Sequence, residues 1–223
     1  MIVPRFAEDV AGSVRLGLVS AEPVSIGPAG PALESEIEAT RASLAAAHAG
    51  RAPAEIPGLD PARRLYRAFG VDPTRTRPSS EALLRRVVQD RPLPKILNAV
   101  DLCNLCALRF LLPIGLYDAR AIRGAVTLRR GGPGEAYQGV RKDDVHLEGR
   151  LVLADEEGPF GNPTADSLRT CVTPATVALW MVIFAPSSYP EADMETHARR
   201  AAEGMARHLA PAGAAVAAEA LVV

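Results

Sequence analysis

The stretch Lys95 to Leu112, KILNAVDLCNLCALRFLL, decides how the rest of the chain is read. It is long enough for a helix and apolar nearly all round, so it predicts a helix buried inside a domain rather than one lying on its surface. Asn98, Asp101 and Asn104 break the pattern at every third position. At about 100° per residue they form one stripe roughly 120° wide, and Arg109 returns close to the azimuth of Asn98. A buried amide or carboxylate without partners costs about 1–3 kcal/mol, so something must satisfy this stripe. Two arrangements do so: a hydrogen-bonded brace between the helix and a loop, or the wall of a ligand pocket.

Before this helix the pattern is mostly helical. Ser13 to Ser20 alternates as a half-buried strand does, and Ala21 to Pro31 reads as a loop. Helices are predicted over Glu34 to Ala49, Pro61 to Phe69 and Glu81 to Gln89, with a connector from Pro53 to Pro61. After the helix the period changes. Gly124 to Arg129, Asp144 to Leu147, Leu151 to Ala154 and Val177 to Ala185 read as strands, Glu191 to Leu209 as an amphipathic helix, and Ala214 to Val223 as a closing strand. Gly158 to Thr176 carries no clear element, which is long for a loop without a task. The expected architecture is α+β, one domain spanning residues 1–223, with a mixed sheet packed against helices.

Composition narrows the function classes. The 223 residues carry a formal net charge of −1, which argues against a broad basic surface for nucleic acid, and DNA is not expected as a partner, although Arg63, Arg64 and Arg67, and then Arg75, Arg77, Arg85, Arg86 and Arg91, make local basic clusters. Cys103, Cys106 and Cys171 suggest a reducing compartment. The CxxC of Cys103 and Cys106 sits among leucines, without a second ligand pair, and reads as two small buried thiols. The N-terminus lacks the pattern of a signal peptide, and no run reaches the roughly 18 apolar residues of a membrane span, so the expectation is a cytoplasmic protein with no membrane contact. No dinucleotide, phosphate-loop, metalloprotease or serine-hydrolase motif is present, and the four histidines have no metal spacing. Neither metal nor cofactor is expected. What remains is the polar stripe and the long loop, whose Asn162, Thr164, Asp166, Ser167, Arg169, Thr170, Thr173 and Thr176 supply small donors and acceptors for a polar ligand. Turn formation and capping account for the same residues without a ligand.

Read together, RPSSEALLRRVV (Arg77 to Val88), LPKILNAVDLCNLCALRFLLPIGLYD (Leu93 to Asp118), GAVTLRRGGPGEAYQGV (Gly124 to Val140), LVLADEEGPF (Leu151 to Phe160) and DSLRTCVTPATVALWMV (Asp166 to Val182) resemble the B3/B4 domain of the phenylalanyl-tRNA synthetase β subunit, and most of all its free-standing single-domain relatives. The resemblance covers about Pro61 to Ala185, and the order of the five motifs carries it. It implies a domain related to the one that edits mischarged tRNA, and hence tRNA or aminoacyl-tRNA as partner, with hydrolysis of a wrongly attached amino acid as the activity. Ligation of amino acid to tRNA is not expected. Asp101 and Asn104 match the family's D-x-x-N, and Pro113, Tyr117 and Asp118 match its P-x-x-x-F-D. Gly115 stands where the editing domain places histidine. Asp166 is the best match to the acidic residue of the loop.

A hydrolytic mechanism here has no built-in nucleophile. Asp166 or Asp101 is expected to orient water, while Asn98, Asn104, Gly115, Tyr117, Arg169, Thr170 and Thr173 are expected to border the substrate. The alternative is a module that binds a free amino acid or similar small polar ligand without catalysis.

Overall fold

The computed structural model describes residues 1–52, 55–140 and 144–223; Pro53 and Ala54, which open the expected connector, lie outside these. Ten strands and five α-helices follow one another as β1 (Arg5–Phe6), β2 (Val14–Glu22), α1 (Pro31–Ala47), α2 (Asp60–Ala68), α3 (Ser79–Val88), α4 (Asn98–Phe110), β3 (Ile114–Asp118), β4 (Thr127–Arg130), β5 (Ala136–Gln138), β6 (Asp144–His146), β7 (Leu151–Asp155), β8 (Gly158–Gly161), β9 (Leu179–Pro186), α5 (Glu191–His208) and β10 (Ala217–Val222) among the described residues. The fold is α+β, as the change of period at Pro113 predicts.

Its strands pack against helices, with parallel and antiparallel pairs mixed in the smaller sheet, as expected. They divide into an antiparallel sheet ordered β10-β2-β9-β3, a smaller sheet ordered β1-β4-β7-β8, and the hairpin β5-β6. Alternation along β9 explains the division. Met181, Ile183 and Ala185 face one cluster with α4 and α5, while Trp180, Val182 and Phe184 face a second with Leu128, Leu153 and Phe160 of the smaller sheet. A strand buried on both faces reads as a continuous apolar run, which is how VALWMVIFA appears in the sequence.

Four strands escape the sequence pattern, the two- and three-residue β1 and β5 and, beside the site, β3 and β8. Residues Ile114–Asp118 form β3, paired with β9 in the register Tyr117 opposite Trp180. Gly158–Gly161 forms β8 inside the segment expected to be irregular; GPFG hides a strand because glycine and proline are poor strand formers, yet Phe160 is fully buried and the strand pairs with β7. The irregular segment therefore begins at Asn162. Its position is set from both ends, by β8 before it and β9 after it, and it passes over one side of α4.

No helix among the described residues is long and apolar enough to cross a membrane.

Candidate functional site

Between α4, the start of β3 and the segment 162–174 lies a cavity of about 730 Å³. One face of α4 forms its wall: Leu97, Val100, Cys103, Asn104 and Ala107 all line it, the i, i+3, i+4, i+7 spacing of a single helical face. Asn162, Asp166 and Thr173 line it from the opposite segment.

The polar stripe of α4 is divided between three environments. Asn98 is the brace: its Oδ1 accepts from the backbone N–H of Gly27 at 3.1 Å and of Ala99 at 2.8 Å, and its Nδ2 donates to the Ser25 carbonyl at 2.9 Å. It ties the helix N-terminus to the loop after β2 and does not line the cavity. Asp101 accepts the backbone N–H of Ile96 at 2.9 Å and opens instead onto a second cleft of about 510 Å³, bordered by Glu34, Arg41 and Lys95. Burial pulls its carboxyl above the ordinary range. Asn104 reaches the cavity between α4 and the segment 162–174, half-buried, and its side-chain amide makes no hydrogen bond to another described residue.

The loop is built with similar economy. Asn162 is 2% exposed, and its Oδ1 accepts the N–H groups of both Thr164 (2.7 Å) and Ala165 (2.8 Å). Those two bonds fix which end of the amide is oxygen, and so the Nδ2 donor, closed off from solvent behind the cavity wall, is left without an acceptor among the described residues. Tyr66 donates to the Pro163 carbonyl at 2.7 Å and Tyr137 to that of Ala165 at 2.5 Å, pinning the next turn. Asp166 is half-buried; its Oδ2 accepts weakly from Leu116 N–H at 3.4 Å, and its backbone pairs with Gly161.

The Asp166 charge is felt all around it. Burial first, and that charge in addition, raise the hydroxyls of Tyr117 and Tyr137 and the thiols of Cys103 and Cys171 above their usual ranges, and Tyr66 is pushed up to about 12. Both cavity thiols are therefore held protonated, and neither is an activated nucleophile. Cys106, on another face of α4, is likewise pushed up to about 12 by burial. Among the described residues no group of three or more His, Cys, Asp or Glu is placed to hold a metal ion.

The remaining candidates lie apart from the cavity. Arg169 turns away to grip Asp155 through two hydrogen bonds, at 2.8 and 3.0 Å, and to pair with Glu157 at 3.2 Å. Thr170 is fully buried and bonds Ser167 and the Phe160 carbonyl, fastening the loop to β8. Gly115 and Tyr117 sit beneath the wall on β3, and a Cβ at Gly115 or Gly161 would lie 2.6 Å from Tyr117 Cζ. The tyrosine thus occupies the room that a larger residue at 115 needs. Thr173 does border the cavity, and its loop is held by a bond from its N–H to Thr176 Oγ1 at 3.0 Å, which in turn donates to Asp118 at 2.8 Å.

The model of the B3/4 domain matches residues 61–222, well over half the chain. The chain belongs to the B3/4 domain family. Its α4, the cavity and the loop 162–174 all fall within the matched B3/4 region. No curated protein matches the chain. Among solved structures, an N-terminal fragment of the phenylalanyl-tRNA synthetase β-subunit from Pyrococcus horikoshii is 12% identical with a TM-score of 0.41. That alignment covers 92% of this B3/4 protein and 51% of the fragment, so the chain spans about half the fragment's length.

Asn162 appears in the sequence only as one of the loop's small polar residues, without a role of its own. Its signal was present as the turn-forming pair Asn162-Pro163, but a turn asparagine and one with a stranded donor look identical in a sequence.

Proposed function

We propose that the cavity receives the aminoacyl end of a charged tRNA and promotes hydrolysis of its ester bond. The observation that carries this reading is the meeting of Asn104, Asp166 and Thr173 on the wall of one cavity, where the Asn104 amide is half-buried and bonds no other described residue. A pocket of this kind, with a few polar groups converging on an otherwise apolar wall, suits a small polar ligand. Family membership and the ordered motifs shared with the synthetase editing domain support the choice of an aminoacyl group as that ligand.

The chemistry asks little of the protein. An ester of an amino acid with a ribose hydroxyl is already activated, so placing a water against its carbonyl and stabilising the developing oxyanion suffices. Asn104 Nδ2 donates to the carbonyl oxygen, Asp166 orients the water, Thr173 holds the α-amino group, and Asn162 fixes the turn that carries Asp166. Leu97, Val100 and Leu116 supply apolar wall for the side chain. Asp101 faces another cleft and Arg169 and Thr170 brace the loop, so none of the three takes part in this step.

The test is a panel of aminoacylated tRNAs incubated with the pure protein in excess. Loss of ester from at least one of them, abolished by Asp166→Ala and weakened by Asn162→Ala, is the expected result, with tRNA binding that falls steeply as salt rises. No deacylation of any member would overturn the reading, and a rise in melting temperature with free amino acids, independent of salt, would point instead to a small-ligand module.

A further inference from the structure

Ile96, Val140 and Leu168 are 47%, 37% and 46% exposed, three of the seven large hydrophobic side chains left exposed among the described residues, and all three border the cavity between α4 and the segment 162–174. Single exposed hydrophobics are ordinary, but a group around one opening marks a contact surface. These residues are also held in place. Ile96 N–H is bonded to the Asp101 carboxylate at 2.9 Å, Leu168 N–H to the Gln138 carbonyl at 2.8 Å, and Val140 N–H to the Asp166 carbonyl at 3.2 Å. The rim is thus apolar, wet and rigidly mounted, whereas the floor, with Cys103, Leu116 and Asn162, is 8% exposed or less.

Resting on the function proposed above, we infer that this rim seats the nucleobase of the nucleoside to which the amino acid is esterified. The cavity, at about 730 Å³, has the size of one that encloses a drug-sized molecule and is larger than an amino acid alone fills. The polar groups suited to the aminoacyl carbonyl lie at depth, so the alcohol half of the ester emerges where Ile96 and Leu168 stand. A base offers a flat face that packs on apolar or aromatic side chains without reading sequence. Exposed Arg75, paired with Asp72 at 3.8 Å, and exposed Arg77 lie shortly before Ser79, itself on the cavity lining, and add positive charge to the chain leading into the site.

Non-hydrolysable probes separate this inference from the reading beneath it. The affinities of 3′-deoxy-3′-(L-leucylamino)adenosine and of L-leucine methylamide are compared by calorimetry, followed by the tyrosyl and seryl pairs. The adenosine probe is expected to bind about tenfold tighter or more in at least one pair. In Ile96→Ser/Leu168→Ser, whose melting temperature should be unchanged because both positions are exposed, that gain is expected to vanish while methylamide binding stays as it was. Equal affinity for both probes, or a gain that survives in the double variant, overturns the rim as a base seat and leaves the aminoacyl site standing. Absence of binding by every probe overturns both.

Discussion

The ring of Tyr117 occupies the space over Gly115, two residues before it on the same strand: a Cβ built at position 115 would lie 2.6 Å from Tyr117 Cζ and closer still to its hydroxyl. Side chains at i and i+2 of a strand share a face, and here the Tyr117 ring leans back over the position that a side chain at 115 would take. Gly115→Ala is expected to cost about 1–3 kcal/mol through overpacking. In a Tyr117→Phe background the same change should cost less, because the nearest clashing atom is gone, and urea denaturation of the four proteins of the cycle measures the coupling. Equal costs in the two backgrounds would show that the ring does not define the slot.

Asn98 and Asn104 should separate stability from binding. Asn98→Ala removes the acceptor for Gly27 N–H and the donor to Ser25, and is expected to cost about 1–3 kcal/mol in a urea melt while deacylation by the folded fraction is retained. Asn104→Ala takes away an amide that bonds no other described residue. Its stability should change by no more than about 0.5 kcal/mol, with deacylation reduced.

Arg169 is predicted to be structural. Burial alone raises the Asp155 carboxyl, but the Arg169 guanidinium and the N–H groups of Arg123 and Glu157 outweigh it and hold the group below 3.8. The sign follows: a depressed carboxyl contributes stability above its unfolded value, and that contribution is lost as pH falls through the folded one. Arg169→Met keeps the packing against Phe160 and removes the charge. With Asp155 side chain inaccessible and Arg169 29% exposed, the expected cost is about 2–3 kcal/mol, below that of a fully buried pair, and the midpoint of acid unfolding should move to higher pH. An unchanged acid midpoint would contradict the assignment.

Asp101 should behave in the opposite sense. Its carboxyl is raised by burial, so its contribution to stability is greatest below the ordinary 3.8 and declines as pH rises through the higher folded value. Asp101→Asn keeps an oxygen for Ile96 N–H and removes the buried charge. The variant is expected to be more stable than the parent at pH 7, with the difference closing as the pH is lowered below the folded value. Thermal melts across pH 3 to 8 check this, and a difference that does not vary with pH would refute it.

The long elements were legible because burial writes its period directly into the chain: α4, β9 and α5 fall within a few residues of where periodicity places them. β3 and β8 were not, since a five-residue strand after Pro113 and a strand spelled GPFG offer no alternation to read. The site was half legible for a geometric reason. Relative to Leu97, Asn104 falls within the arc of Val100 and Cys103, while Asp101 lies about 60° and Asn98 about 120° further round from Asn104. One helix reveals that polar side chains share a stripe. What each part of the stripe meets depends on neighbours distant in sequence: Gly27 for Asn98, the segment around Glu34 for Asp101, and the loop after Asn162 for Asn104.

The alternation of β9 also has an optical consequence. Trp180, the only tryptophan, is fully buried and packed at 5.8 Å from Tyr117 and 6.4 Å from Phe160, on the face of the large sheet that turns away from α4. Its ultraviolet emission is therefore a natural gauge of whether the two sheets remain clasped together. The α4 side of the molecule carries no such lamp, and following an arrival there requires a fluorophore on the visitor.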